Sequence, residues 1–330
     1  MSRGARQNPL ERPAASVARD HALRLVRELD KAVARFHDTG AAQALHDTRV
    51  ALRRLRSWLQ AFDSLLHVKA RQRRRLRRLA RASNMARDAE IALNLLAELR
   101  PELAARARPQ AFGMARSLML LREQHHRRIR RKLPDTWRKL SAKLRDAFTG
   151  VDPGEDGPRF SQAFAGSMRK YTAGFEAALA DAARNPDAPH IHRLRIAGKK
   201  ARYLTEAILP WYPGARPIVR ELVALHDAAG RIQDLQRFIE LSEEAFLHQA
   251  ATRYRRLLLR YIDTGIEDRR LPQPASSLSL PLLLICRSAA KKQARYIAAL
   301  KKAYLARRYP ACVSKMRRLA AKLDTRVANR

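Results

Sequence analysis

One histidine followed by a ladder of cations occurs twice in this chain. His46, Arg49, Arg53, Arg54 and Arg56 have the spacing of His192, Arg195, Lys199, Lys200 and Arg202, 146 residues further on. Over the eleven positions from His46 to Arg56, four residues are identical and three exchange like for like: Val50 for Ile196, Arg53 for Lys199 and Arg54 for Lys200. A guanidinium group is a flat fork of donors that matches phosphate oxygens in pairs, and it stays charged at physiological pH. The chemistry open to such a ladder is retention of a long, densely negative ligand.

On a helix of 100° per residue, His46, Arg49, Arg53 and Arg56 fall within about 80° of one another. Leu52, Leu55, Trp58, Leu59 and Phe62 fall opposite. The second copy gathers His192, Arg195, Lys199 and Arg202 against Leu194, Ala201, Leu204 and Ile208. Arg54 and Lys200 point about 80° away from the stripe. Like charges three and four residues apart oppose helix formation, and a bound anion would offset that cost. A solvated basic face would explain any one arginine, but not a histidine at the same place in both copies.

The histidines have three readings: a brace at the helix start, a metal ligand or a phosphate donor. Metal binding fits worst, because paired carboxylates and nearby cysteines are missing from the motif and the basic surroundings repel cations. Asp88 and Asp234 are acids in otherwise basic or apolar stretches, suited to holding arginines in place. His125-His126 reads as part of another cationic surface. General acid catalysis would need a second carboxylate and a substrate pocket, and the sequence supplies neither. No catalytic residue, metal or cofactor is expected.

The offset persists beyond the motif. Arg24 corresponds to Lys170, Leu29 to Phe175, Leu76 to Leu222 and Asp88 to Asp234. Arg24 and Lys170 are therefore expected to face the same cavity as the motif. A duplicated unit stacked on its copy should make one pseudo-twofold body.

Composition agrees. Among 330 residues, hydrophobic types make up 46% and aromatics 6%, so a core can form from aliphatic helices. Ala, Leu and Arg dominate, and hairpin signals are scarce; the fold class is all-α. Lys plus Arg number 68 against 31 acids, a net charge of +37. Self-repulsion of that size opposes compaction and is relieved by a polyanion. Nucleic acid, an anionic membrane and polyphosphate are the candidate partners. Cys286 and Cys312 form neither a metal motif nor a disulfide framework, and are expected to be inert thiols. The N-terminal stretch lacks a signal-peptide core, and the longest apolar run, Leu278–Cys286, is too short for a membrane span. A cytoplasmic protein is expected.

Residues 1–13 read as a flexible basic tail, 14–150 as the first repeat, 151–158 as a Pro/Gly-rich linker, and 159–330 as the second repeat with extra C-terminal helices. Helices are expected at about 14–36, 42–66, 71–99 and 109–148, the last kinked or broken at Pro134. In the second copy they are expected at about 160–184, 190–209, 218–243, onward to 262, 282–308 and 311–327, with a loop over 271–281.

The doubled motif resembles the CHAD family, the conserved histidine α-helical domain. The likeness rests on His46-x-x-Arg49-Val-Ala-Leu-Arg53-Arg54-Leu-Arg56, on His192-x-x-Arg195-Ile-Ala-x-Lys199-Lys200-x-Arg202-Tyr203, and on the later helices carrying Asp88 and Asp234. It covers nearly the whole chain after the tail. The resemblance implies two pseudo-symmetric four-helix bundles around a central basic cavity. It also implies binding of inorganic polyphosphate, often at polyphosphate granules. Gly198 stands where the family pattern has leucine, which is expected to weaken local packing; Lys199-Lys200 for Arg-Arg keeps the charge but loses bidentate geometry. Some relatives carry a triphosphatase module with alternating Glu and Lys on strands; this chain has no such stretch, so catalysis is not implied. The alternative is nonspecific nucleic-acid binding. Single-strand binders interleave aromatics with cations, and only Tyr203 does so clearly here.

Overall fold

The computed structural model describes residues 8–103, 105–151, 157–264 and 276–325. Among these the chain is helical and has no strand. The helices are α1 (Ala14–Thr39), α2 (Ala42–Ala61), the short α3 (Asp63–Leu66), α4 (Ala70–Ala82), α5 (Asn84–Leu99), α6 (Arg108–Thr149), α7 (Phe160–Arg184), α8 (Ala188–Ile208), α9 (Arg216–Thr264), α10 (Ser276–Leu300) and α11 (Arg308–Asp324). A π-helical turn, Lys301–Leu305, follows α10.

Chain chemistry explains several boundaries. α1 ends at Gly40, whose φ of 59° suits a residue without a Cβ. The Arg130 guanidinium donates to the His37 and Asp38 carbonyls, each at 2.8 Å, and so satisfies the exposed end of α1. α8 starts at Asp187, whose side chain accepts the His190 N–H at 2.8 Å, with Pro189 in the first turn.

Some expectations need correction. Residues 8–13, assigned to the tail, form a 3-10 turn at Pro9–Glu11 capped by Asn8, and Leu10 is fully buried. Residues 1–7 of that tail and 152–156 of the linker lie outside the described residues. The helix expected at 71–99 is interrupted at Ser83, whose hydroxyl donates to the Ala80 carbonyl. α6 passes through Pro134 unbroken, anchored by buried Ile129, Leu133, Trp137, Leu140 and Leu144. The two helices expected between 218 and 262 are one, α9, because residues 231–264 contain neither proline nor glycine. Residues 276–281, placed in a loop, are the start of α10; the rest of that loop, 271–275, is outside the described residues.

The chain divides into two compact units. The first comprises Met1–Asn84, His126–Gly230 and Ala299–Arg330, and both motif helices belong to it. In it α1 packs on α2, α7 on α8, and α11 on α7, while α1 also meets α7 and α2 meets α8. An aromatic cluster fills the centre: the Trp58 and Phe62 rings lie 4.4 Å apart, Phe62 and Phe160 5.4 Å, and Phe160 and Trp211 6.0 Å. The starts of α1 and α7 clasp through one isolated antiparallel bridge, Pro13 to Arg159. Ala14 N–H donates to the Pro158 carbonyl and Phe160 N–H to the Arg12 carbonyl, both at 2.9 Å.

The second unit, Met85–His125 and Arg231–Ala298, is built on Leu96, Leu99, Met114, Leu118, Leu235, Phe238 and Ile285. Asp88 lies 3.5 Å from Arg237, the arginine-holding part the sequence assigns it. Cys312, in the first unit, is buried, and burial pushes its thiol up to about 12; Cys286, in the second, is half-buried, and its thiol is also raised by burial.

Candidate anion-binding site

The apolar stripe of α2 (Leu52, Leu55, Trp58, Leu59) and that of α8 (Leu194, Ala201, Leu204, Ile208) are buried as the helical wheel requires. That leaves the cationic stripes to meet. Arg53 and Arg56 of α2, Lys199, Lys200 and Tyr203 of α8, and Arg73 and Arg77 of α4 wall a cavity of about 640 Å³. Asp63 is the one carboxylate among its described lining residues, and it is ion-paired with Arg73.

The electrostatics show how tightly the two copies converge. Lys199 is pushed down to about 7, first by burial and then by Arg195, Arg53, Arg202 and Arg49. Arg56 is lowered by burial and by Arg77 and Arg81. His226, on α9, falls to about 2 through burial and the charges of Arg195, Lys199, Arg202 and Arg53. It is thus a neutral imidazole inside a cationic cluster. One turn along α9, Gly230 packs beside the Arg195 guanidinium, at a distance that a Cβ would also tolerate. Arg49 also donates to the Asn84 side chain at 3.2 Å.

Several side chains lie elsewhere than the sequence suggests. Arg24 does not line the main cavity. With Arg54, Glu28, Glu206, His21, Trp58 and Tyr203 it walls a smaller one of about 170 Å³. Its guanidinium is 2.6 Å from His21 Nδ1, and its Nε is 3.9 Å from Glu28. His21 itself is buried against Trp58 and lowered to about 3 by burial and Arg24. Lys170 likewise misses the main cavity and borders an adjoining open pocket of about 600 Å³, which shares Gln60, Asp63 and Arg73 with it. Lys200, expected to point aside, does line the main cavity. His46 is exposed and His192 half-buried; each is the fifth residue of its helix, and neither lines the cavity. Arg202 pairs with Glu206 at 3.1 Å and lies over the Tyr203 ring, 4.9 Å from its centroid.

Gly198 does not loosen packing as expected. A Cβ there would come within 2.7 Å of Leu225 and 3.3 Å of Phe175, so the missing side chain is what lets α8 approach α9 and α7. The sequence reading missed Arg73, Arg77, Arg81 and His226. The α4 arginines were legible as a basic run, but at the repeat offset they face Val219, Val223 and Asp227, so the duplication did not flag them. Among the described residues, no helix is long and apolar enough to cross a membrane.

Comparison with known proteins agrees with this architecture. A crystal structure of the CHAD domain from the plant Ricinus communis is similar with a TM-score of 0.57 at 18% identity, over 94% of this chain and 93% of that one. PptA from Streptomyces chartreusis is similar with a TM-score of 0.60 at 16% identity, over 94% and 99%. No curated protein sequence matches. The family model of the CHAD domain matches residues 21–243, which include both motif helices, and the chain therefore belongs to the CHAD domain family.

Proposed function

We propose that this protein binds inorganic polyphosphate in the cationic cavity walled by α2, α4 and α8, as a binding module without catalytic activity of its own. The observation that carries the reading is Lys199. It shares one cavity with Arg53, Arg56, Lys200, Arg73 and Arg77, and its amine is pushed down to about 7, first by burial and then by Arg195, Arg53, Arg202 and Arg49. A chain of phosphates relieves the repulsion among these cations, and it offers no bases that would call for stacking aromatics. The polyphosphate binding that the CHAD resemblance implies points the same way. Arg53, Arg56, Lys199 and Lys200 are the direct contacts in this reading, with Arg73 and Arg77 opposite. Arg49, Arg195 and Arg202 set the potential. The protein acts in the cytoplasm, at polyphosphate granules.

Competition tests this. Labelled long-chain polyphosphate is bound at near-physiological salt and challenged with unlabelled polyphosphate, duplex DNA or RNA at matched charge. Arg53→Ala/Arg56→Ala is compared with Arg131→Ala/Arg138→Ala, which removes two exposed charges from α6. Polyphosphate alone should compete well, and the cavity variant should lose at least about tenfold more affinity than the surface variant. Equal competition by nucleic acids, with equal losses in both variants, would make the protein a general polyanion binder instead.

A further inference from the structure

The cluster contains one group whose surroundings convert it from a charge into a nucleophile. Lys199 is half-buried and is among the residues that line the 640 Å³ cavity. Burial acts on it first, then the cations Arg195 and Arg202 of its own helix and Arg53 and Arg49 of α2; the same cavity is also lined by Arg56, Lys200, Arg73, Arg77 and Asp63, the last paired with Arg73. From α9 it faces His226, which burial first and then the surrounding cations keep neutral. A lysine desolvated beside other cations is a recognised form of activated amine. With its proton lost at about pH 7, Lys199 is substantially neutral where an exposed lysine is almost fully protonated.

We propose that Lys199 is a covalent modification site, acylated directly by small acyl phosphates that enter the cavity. The neutral Nζ attacks the acyl carbon and an N–C bond forms. The C–O bond to the phosphate breaks, its electron pair stays on the phosphate oxygen, and the nitrogen sheds one proton to solvent. The products are an amide and inorganic phosphate, and no electrons are exchanged. Arg53 and Arg56, on the same cavity wall, suit the phosphate both as it enters and as it leaves. The amide can no longer take up a proton, so acylation removes a cation from the centre of the cluster. This goes beyond polyanion binding and does not depend on which polyanion the cavity holds.

The test uses the full-length protein incubated with acetyl phosphate between pH 6 and 9, with occupancy at each lysine followed by peptide mass spectrometry. Lys132 and Lys139, exposed on α6, are the internal references. At pH 7 Lys199 should acylate at least about tenfold faster than either. Its rate should rise from pH 6 and level off by pH 8, while the reference rates keep rising to pH 9. Lys199→Arg should remove the fast site and leave the others unchanged. The proposal is overturned if Lys199 reacts no faster than the exposed lysines, or if its rate shows no plateau.

Discussion

Pro13 and Arg159 face one another across the bridge that joins the starts of α1 and α7, and they are the same position in the two copies of the repeat. The hydrogen bonds on either side are exchanged reciprocally, Ala14 to Pro158 and Phe160 to Arg12. Arg53 and Lys199 are also equivalent positions, and they wall one cavity. Contacts of this self-complementary kind set a residue against its own counterpart. A cationic ladder used twice in that way is bound to meet itself. Part of the repulsion at the site follows from duplication, and the rest comes from Arg73, Arg77 and Arg81 of α4, which have no cationic counterparts in the second copy.

The unliganded protein should become more stable as pH rises from about 7 to about 8.5, above which the raised thiols of Cys312 and Cys286 act with the opposite sign. Lys199 holds its proton up to about 7 in the folded protein, against about 10.4 in an unfolded chain. Between those values the unfolded chain binds the extra proton, so raising the pH favours folding. Urea midpoints should show this rise in the wild type and a flatter profile in Lys199→Met, which should be the more stable of the two at pH 7. His226 and His21, at about 2 and about 3, act with the same sign at lower pH. Stability should fall on acidification below about 6.5, less steeply in His226→Gln.

Polyphosphate binding should take up a proton. Phosphates beside Lys199 favour its charged form, so above pH 7 the amine must protonate as the ligand binds. Affinity should fall by up to about tenfold per pH unit between pH 7 and 9. Calorimetry in two buffers of different ionisation enthalpy should report an uptake approaching one proton at pH 8.5. Lys199→Arg, charged throughout, should abolish most of both effects. An unchanged pH profile in that variant would place the titrating group elsewhere.

Gly198→Leu should destabilise by about 2 kcal/mol or more, because its branched side chain must enter the space that Leu225 and Phe175 occupy. Gly198→Ala should destabilise less than Gly198→Leu: its Cβ must displace the buried Leu225 and press on the Phe175 ring, and the gain in helix propensity, about 1 kcal/mol, offsets part of that cost. Thermal denaturation of the two variants measures the difference. At the same position of the first copy stands Leu52, itself buried, so the two motif helices are no longer interchangeable.

The motif was readable from sequence because periodicity dictates which side chains share a helix face. Arg53, Arg56 and Lys199 stand where that rule puts them. What periodicity does not give is which neighbouring helix closes the cavity. Arg24 was assigned to it by repeat offset alone; in the structure His21 and Glu28, three and four residues away, lie beside its guanidinium, which faces the smaller cavity. His226 is invisible in the sequence because its charge state comes first from burial, then from cations on another helix and, in Arg53, on the other copy. The length of α9 was misjudged because polar residues within a helix resemble a break until the absence of glycine and proline is given its full weight.

Tyr203 borders both the larger and the smaller cavity, and its hydroxyl is buried with no hydrogen-bond partner among the described residues. The two spaces are rooms with a common partition. The ring that separates them is buried and lies under the Arg202 guanidinium, so the partition is held by packing and not by a hydrogen bond of its hydroxyl. Shortening this one side chain would therefore enlarge both spaces at once.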